Sequence, residues 1–186
     1  TSSKFKIISG YSWSEEKRQE FTRGFGISCV DNFDTMLANT EIKGVILTVP
    51  NEQPLPVAQA VAKAGKHIYT EKPIANTLEN GIRLEALQGQ YGVQAMVGHS
   101  ARLLRGARMM KKAIDSGELG TLSFMESNFS NERALELTPD TWRWYRNKAP
   151  GGPLSQLATH LFDSLYMLGG PVEEVSSVAS KLSPVG

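Results

Sequence analysis

Cysteine is nearly absent from this chain: Cys29 stands alone among 186 residues. No intramolecular disulfide can form, and a reducing compartment, the cytoplasm, is the expectation. No apolar run approaches the roughly 20 residues that a membrane-spanning helix needs. The first residues, Thr1-Ser2-Ser3-Lys4, lack the apolar centre of a signal peptide. A membrane partner is therefore not expected. An excess of one charge is missing too. The 20 Lys and Arg against 19 Asp and Glu leave a formal net charge of +1, which gives no electrostatic case for nucleic acid or an anionic surface. Arg105, Arg108, Lys111 and Lys112 form the one basic cluster. It reads as a solvated helix face, with a nucleic-acid or partner-binding module as the alternative. There is no internal repeat and no low-complexity tract. What remains, 40% hydrophobic and 21% charged residues, is an ordinary globular composition. The length allows one large or two small domains at roughly 100–200 residues each.

Short apolar runs alternate with helical stretches over the first hundred residues. Lys4 to Ser9, Gly44 to Val49, His67 to Thr70 and Gln94 to Gly98 read as strands. Between them, helices are expected over Ser14 to Phe25 (Ser14 as N-cap, Gly26 as stop), Leu55 to Ala64 and Thr77 to Tyr91, with a helical turn over Asp34 to Asn39. This order predicts an α/β fold, a parallel doubly wound sheet with helices on its faces. The rhythm then changes. A helix over Leu104 to Ser116 precedes a strand-like alternation from Leu122 to Ser130. A helix opens at Gly151-Gly152-Pro153 and runs to about Leu168, and Val172 to Lys181 reads as another strand. The second part therefore reads as a partial α+β domain with an open, mostly antiparallel sheet. The expected division is 1–100 and 101–186.

Two stretches carry chemistry. In the first, Gly65-Lys66-His67-Ile68-Tyr69-Thr70-Glu71-Lys72-Pro73, a strand of a parallel sheet ends, and ligands bind at such carboxyl ends. Pro73 restricts the Lys72 backbone to extended or turn geometry, and the Lys72–Pro73 bond is a candidate for the cis form. A lysine held there can hydrogen-bond a substrate oxygen; the competing reading of Glu71-Lys72 is a surface ion pair before a turn. The second runs from Gly151 to Asp163. Gln156 and His160 are four apart and share a helix face. An imidazole, with an unperturbed pKa of about 6.5, suits proton transfer near neutral pH; the competing reading is a satisfied structural histidine.

Ala60-Val61-Ala62-Lys63-Ala64-Gly65-Lys66-His67-Ile68-Tyr69-Thr70-Glu71-Lys72-Pro73 resembles the A-x-x-A-G-K-H-V-x-x-E-K-P signature of the glucose–fructose oxidoreductase / inositol dehydrogenase (Gfo/Idh/MocA) family. Val45 to Asn51 resembles its V-V-I-A-T-P-N strand and turn. Gly151 to Asp163 is similar to its G-G-G-x-L-x-D-x-G-x-H-x-x-D motif, with His160 at the catalytic histidine and Asp163 at the acid after it. Gly98-His99-Ser100-Ala101-Arg102, the turn Gly117-Glu118-Leu119-Gly120 and the pair Trp142-Arg143 match lesser features. The resemblance covers roughly Phe5 to Val178.

It implies a nicotinamide-dependent oxidoreductase, using NAD or NADP, that moves a hydride to or from a hydroxyl-bearing carbon of a sugar, inositol or related polyol. Lys72 and His160 are the implied catalytic residues. Gln156, Arg143, Arg102 and Asp163 are the implied substrate contacts. Ser12, Trp13, Thr48, Pro50, Asn51, Glu71 and Lys72 are the implied cofactor contacts. The family's open sheet often forms an oligomer interface, so a homo-oligomer, dimer or tetramer, is expected.

Three departures stand out. The family's usual Asp is Gln156 here, which cannot take up a proton, and its usual Gly is Ala158. Pro54-Leu55-Pro56 stands where the family usually has a histidine. No G-x-G-x-x-G occurs; Gly24-Phe25-Gly26 lies at a helix end, not between a strand and a helix start. By the family's order, Lys4 to Ser9 would be the second strand, with the first strand and its glycines upstream of Thr1. The tip of that second strand, Ser9-Gly10-Tyr11-Ser12-Trp13-Ser14, carries neither an acid nor an arginine, which favours the 2′-phosphate form of the cofactor. Gln156 and the missing glycine turn also motivate a rival, a non-catalytic homologue that binds a nucleotide or sugar as a sensor or subunit.

Overall fold

The computed structural model describes residues 4–130, 132–178 and 180. Helix and strand alternate through the first part: β1 (Gly10–Tyr11), α1 (Glu15–Phe25), β2 (Cys29–Val30), α2 (Phe33–Ala38), β3 (Gly44–Leu47), α3 (Pro54–Lys63), β4 (His67–Thr70), α4 (Leu78–Tyr91) and β5 (Ala95–Val97). Local chemistry sets several of the boundaries. The Ser14 hydroxyl accepts from the Lys17 amide to cap α1, and Gly26 ends it at φ 64°, where a side chain would be strained. Thr77 caps α4 in the same way.

All strand pairs among the described residues are parallel. β3, β4 and β5 form one sheet in that order, with Val45, Ile68 and Ala95 in register on one face and Leu47, Thr70 and Val97 one step further on. Helices α3 and α4 cover this face. Leu47, Leu55, Ala58, Val61, Ala62, Ile68, Leu84, Leu87 and Val93 make the buried core there. The opposite face carries Ile46 and Met96 at 62% and 60% exposure, so among the described residues helices cover only one side of this sheet. The buried Lys66 ammonium donates to the carbonyls of Asn39 and Ile42, both at 2.8 Å, and ties the α2–β3 loop to the start of β4.

The first expected strand is displaced. Lys4 to Ser9 forms no strand, and the ladder forms instead at Gly10–Tyr11, against Cys29–Val30. A strand exists where a partner offers amides and carbonyls, and that partner, β2, had no clear signature of its own. Gly10 meets it closely, donating its amide to the Ser28 carbonyl at 3.0 Å.

Beyond β5 come a 3-10 turn (Ser100–Leu103), α5 (Arg105–Asp115), a π-helical turn (Leu154–Ala158) and α6 (Thr159–Gly169). α6 packs on α5 and on the 3-10 turn. The expected strands over 122–130 and 172–178 are irregular chain, and Lys181 lies outside the described residues. Alternating polarity gives a strand one buried face but not its hydrogen-bond partner, and these two segments do not pair with each other. No antiparallel sheet occurs among the described residues. On α5 the cluster is partly neutralised, since Lys111 pairs with Asp115 one turn on. No helix among the described residues is long and apolar enough to cross a membrane.

Candidate active site

Three parallel strands end side by side, and their carboxyl edge carries the polar groups. β4 delivers Lys72 two residues past its last residue, across a Lys72–Pro73 bond that is cis. β5 delivers His99 and, through the 3-10 turn, Arg102. The edge is stitched tight: the Glu71 amide donates to the Leu47 carbonyl at 3.0 Å and the Gly98 amide to the Thr70 carbonyl at 2.8 Å. Gly98 is required by this closeness, because a Cβ there would lie 2.8 Å from the Tyr69 hydroxyl and 3.1 Å from its ring.

The π-helical turn and α6 close over this edge. The Lys72 ammonium donates to the backbone carbonyl of Gln156 at 2.6 Å, across 84 residues of chain. A π-helical turn shifts backbone pairing from four residues to five, so the helix expected to open at Gly151-Gly152-Pro153 begins widened, over Leu154–Ala158, at the point where Lys72 meets it. Gln156 contributes its carbonyl; its side-chain amide donates to Ser155 Oγ at 3.4 Å. Ser155 Oγ itself donates to the Pro150 carbonyl at 2.5 Å.

One turn further on, His160 and Asp163 enter the same cluster. Arg102 grips Asp163 with both prongs, Nε to Oδ2 and Nη2 to Oδ1, each 2.7 Å. This hydrogen bond holds the guanidinium above its ordinary value. His99 Nδ1 lies 3.8 Å from Asp163 Oδ2. The His99 and His160 rings stand edge to face with centroids 6.4 Å apart. The Nδ1 atoms of both are buried without a hydrogen-bond partner. Burial first, then the Lys72 ammonium and the His99 ring, hold the His160 imidazole below its ordinary value, while Glu71 and Asp163 pull the other way. The site therefore favours a neutral His160 beside the Lys72 ammonium.

Lys72, Arg102, Gln156, His160 and Asp163 thus come together from distant parts of the sequence. Arg143 is elsewhere: it is exposed and lies over the Trp142 ring, 4.4 Å from the centroid, within its own turn. His99 is the member that sequence reasoning missed; its only signal was its place in the Gly98–Arg102 turn. Of the residues considered for a cofactor, Asn51 follows β3, is 6% exposed, and has a buried Nδ2 without a partner. Thr48, Pro50 and Glu71 line the same strand edge. Ser12 lies in the turn after β1, its hydroxyl accepting from the Ser14 amide at 3.2 Å and its carbonyl from Arg18 at 2.8 Å. Trp13 is 80% exposed beside it. The orphaned Asn51 amide and the two unpartnered imidazole nitrogens fit a polar ligand lying across the carboxyl edge of the sheet. Among the described residues, no group of three or more His, Cys, Asp or Glu side chains is arranged to hold a metal ion.

The profile of a family described as "Oxidoreductase family, NAD-binding Rossmann fold" matches residues 1–99. The profile of the GFO/IDH/MocA C-terminal domain matches residues 107–186. The chain belongs to the Gfo/Idh/MocA oxidoreductase family. Among members of this Gfo/Idh/MocA family, levoglucosan dehydrogenase from Pseudarthrobacter phenanthrenivorans is 30% identical over 171 residues, covering 91% of this chain and 44% of the relative. Glucose-6-phosphate 3-dehydrogenase from Bacillus subtilis is 28% identical over 183 residues, covering 96% and 51%. A provisionally named NADPH-dependent oxidoreductase from Desulfitobacterium hafniense superposes with a TM-score of 0.87 at 41% identity, covering 91% of this chain and 49% of that one. Levoglucosan dehydrogenase in complex with NADH and levoglucosan superposes with a TM-score of 0.74 at 26% identity, covering 88% and 44%. The chain spans about half the length of these curated Gfo/Idh/MocA relatives, 44% and 51%.

Proposed function

We propose that this chain carries the reaction centre of an NAD(P)-dependent oxidoreductase that transfers a hydride between the nicotinamide and a hydroxyl-bearing carbon of a sugar, inositol or related polyol. The observation that carries this reading is that the Lys72 ammonium, at the end of β4, bonds the Gln156 carbonyl one helical turn before His160, close enough for its charge to act on the His160 ring. Sugar and sugar-phosphate dehydrogenases among the relatives support the substrate class.

The nicotinamide, when bound, supplies the hydride acceptor or donor. The residues of this chain supply position and proton handling. His160, kept neutral by burial and by Lys72, accepts the hydroxyl proton as the carbinol is oxidised. Lys72 donates a hydrogen bond to the same oxygen and offsets the charge that develops on it. Asp163, held by Arg102, steadies α6 behind His160. Gln156 presents hydrogen-bonding groups suited to further hydroxyls. Asn51, Thr48, Pro50 and Glu71 hold the dinucleotide along the sheet edge, and Ser12 and Trp13 receive its adenosine end, with NADP preferred over NAD. Residues 1–100 make the dinucleotide-binding unit and 101–186 part of a substrate and assembly unit. Phe124, Val172 and Val175, 77%, 61% and 77% exposed, support a homo-oligomer in which this stretch is covered. With a lone cysteine, the cytoplasm is its compartment.

The test uses the longest natural chain with NAD or NADP and a panel of sugars, sugar phosphates and inositols, followed at the near-ultraviolet band of the reduced nicotinamide. Turnover with at least one polyol is expected. Binding of ligand with no turnover on any of them points to the second reading, a sensor or subunit. One observation favours that alternative: Gln156 stands where the family motif has a proton-carrying Asp, and its amide is turned to Ser155.

A further inference from the structure

His99 has no place in the roles above, yet it occupies the centre of the cluster. Its position is fixed by backbone: its amide donates to the Val97 carbonyl at 2.9 Å, and its carbonyl accepts from the Arg102 amide at 3.2 Å. On one side is the Asp163 carboxylate, 3.8 Å from Nδ1 and already locked by Arg102. On the other is the His160 ring, met edge to face at 6.4 Å. On each ring, Nδ1 is buried without a hydrogen-bond partner. Gln156 cannot exchange a proton, so His160 needs another group to set its orientation and its proton affinity.

We propose that His99 is the positioning residue for His160. Its imidazole, backed by Asp163, orients the His160 ring and tunes the ease with which that ring takes a proton, the work the family's Asp would share at position 156. This rests on the oxidoreductase reading for its purpose, but the coupling of the two rings stands apart from it. The charged or titratable groups around His160 act in opposite senses. Lys72, from the end of β4, and His99, from the end of β5, oppose its protonation. Glu71, beside Lys72, and Asp163, on α6, favour it. A unit charge at about 6 Å, screened as fully as in water, changes a neighbour's titration midpoint by roughly half a unit. Removing His99 and removing the Asp163 charge should therefore shift His160 in opposite directions, which general loosening of the fold would not do.

The chain has three histidines, His67, His99 and His160, so nitrogen-15 NMR resolves each imidazole. The expected result is that His160 in H99Q and in H99F titrates roughly half a unit higher than in the unaltered chain, and lower in D163N. His67, exposed at the start of β4, should not move. Two His99 variants guard against one that fails to fold. An unchanged His160 midpoint and tautomer in both, or a shift of the same sign in H99Q and D163N, overturns the proposal. The readout is the ring itself. Coupled rings without sugar turnover would leave this inference standing and sink the activity, whereas turnover with uncoupled rings would do the reverse.

Discussion

Asp163 holds the polar cluster in place. Its side chain is 9% exposed, and the guanidinium that grips it is 43% exposed. Arg102→Met would leave a nearly buried carboxylate without its charge-assisted hydrogen bonds. We expect a loss of about 1–3 kcal/mol, in the lower half of that range because Arg102 is well solvated, read as a lower urea midpoint at unchanged slope. His160 adds a pH dependence whose sign follows from its depressed folded-state value. As pH falls through about 6.5, the unfolded chain takes up a proton before the folded one does. Stability should decline below that point and level off only once the folded imidazole is also protonated. Thermal melts between pH 8 and 5 should show this slope, and His160→Gln should flatten it; an equal slope in the variant would assign the effect to another group. Cys29 is predicted to be unreactive. Burial raises its thiol, against a smaller opposing pull from Arg18, so a thiol reagent at pH 7 should label it slowly in the fold and quickly in urea.

The elements set how closely these residues can meet. At the edge of the sheet, Gly98→Ala would drive a methyl group into Tyr69, 2.8 Å from its hydroxyl and 3.1 Å from the ring. A cost of about 1–3 kcal/mol is expected, and Tyr69→Ala in the same chain should recover most of it; no recovery would mean that the backbone at Gly98 is the constraint. In the layer behind, Leu84 of α4 is 1% exposed in the core shared with α3 and the sheet. Leu84→Ala should cost about 2–5 kcal/mol by urea unfolding. Elements bounded by local chemistry were legible in the sequence. Ser14 and Gly26 bracket α1, Thr77 caps α4, and β4 spans His67–Thr70 as read. Elements that depend on a distant partner were not. Lys4 to Ser9 is as apolar as a strand, but β2 pairs with Gly10–Tyr11. Leu122 to Ser130 alternates as a strand does, and finds no ladder. The π-helical turn at Leu154–Ala158 was equally invisible, since Gly151-Gly152-Pro153 announces a helix start but not its width.

For the whole molecule, the site is made by long-range closure. Lys72 and Gln156 are 84 residues apart, Arg102 and Asp163 are 61 apart, and each pair is joined directly. Lys72, Gln156 and His160 could be picked out because two motifs stand in order along the chain. Which of them would touch, and that His99 would stand between His160 and Asp163, could not be read from one dimension. His99 is sixty-odd residues from both, and only the docking of α6 on the 3-10 turn after β5 brings it there. If Lys72 and His160 act on one substrate oxygen, their removal is not independent. A double-mutant cycle on kcat/KM for hydride transfer, in the longest natural chain with its best polyol, measures that coupling. Lys72→Met and His160→Asn should each lower kcat/KM by roughly 10²–10⁴-fold, and the double variant should lose little more than the worse single one, because residues acting as a unit are not additive. Losses that multiply, or a single variant with undiminished kcat/KM, would contradict it.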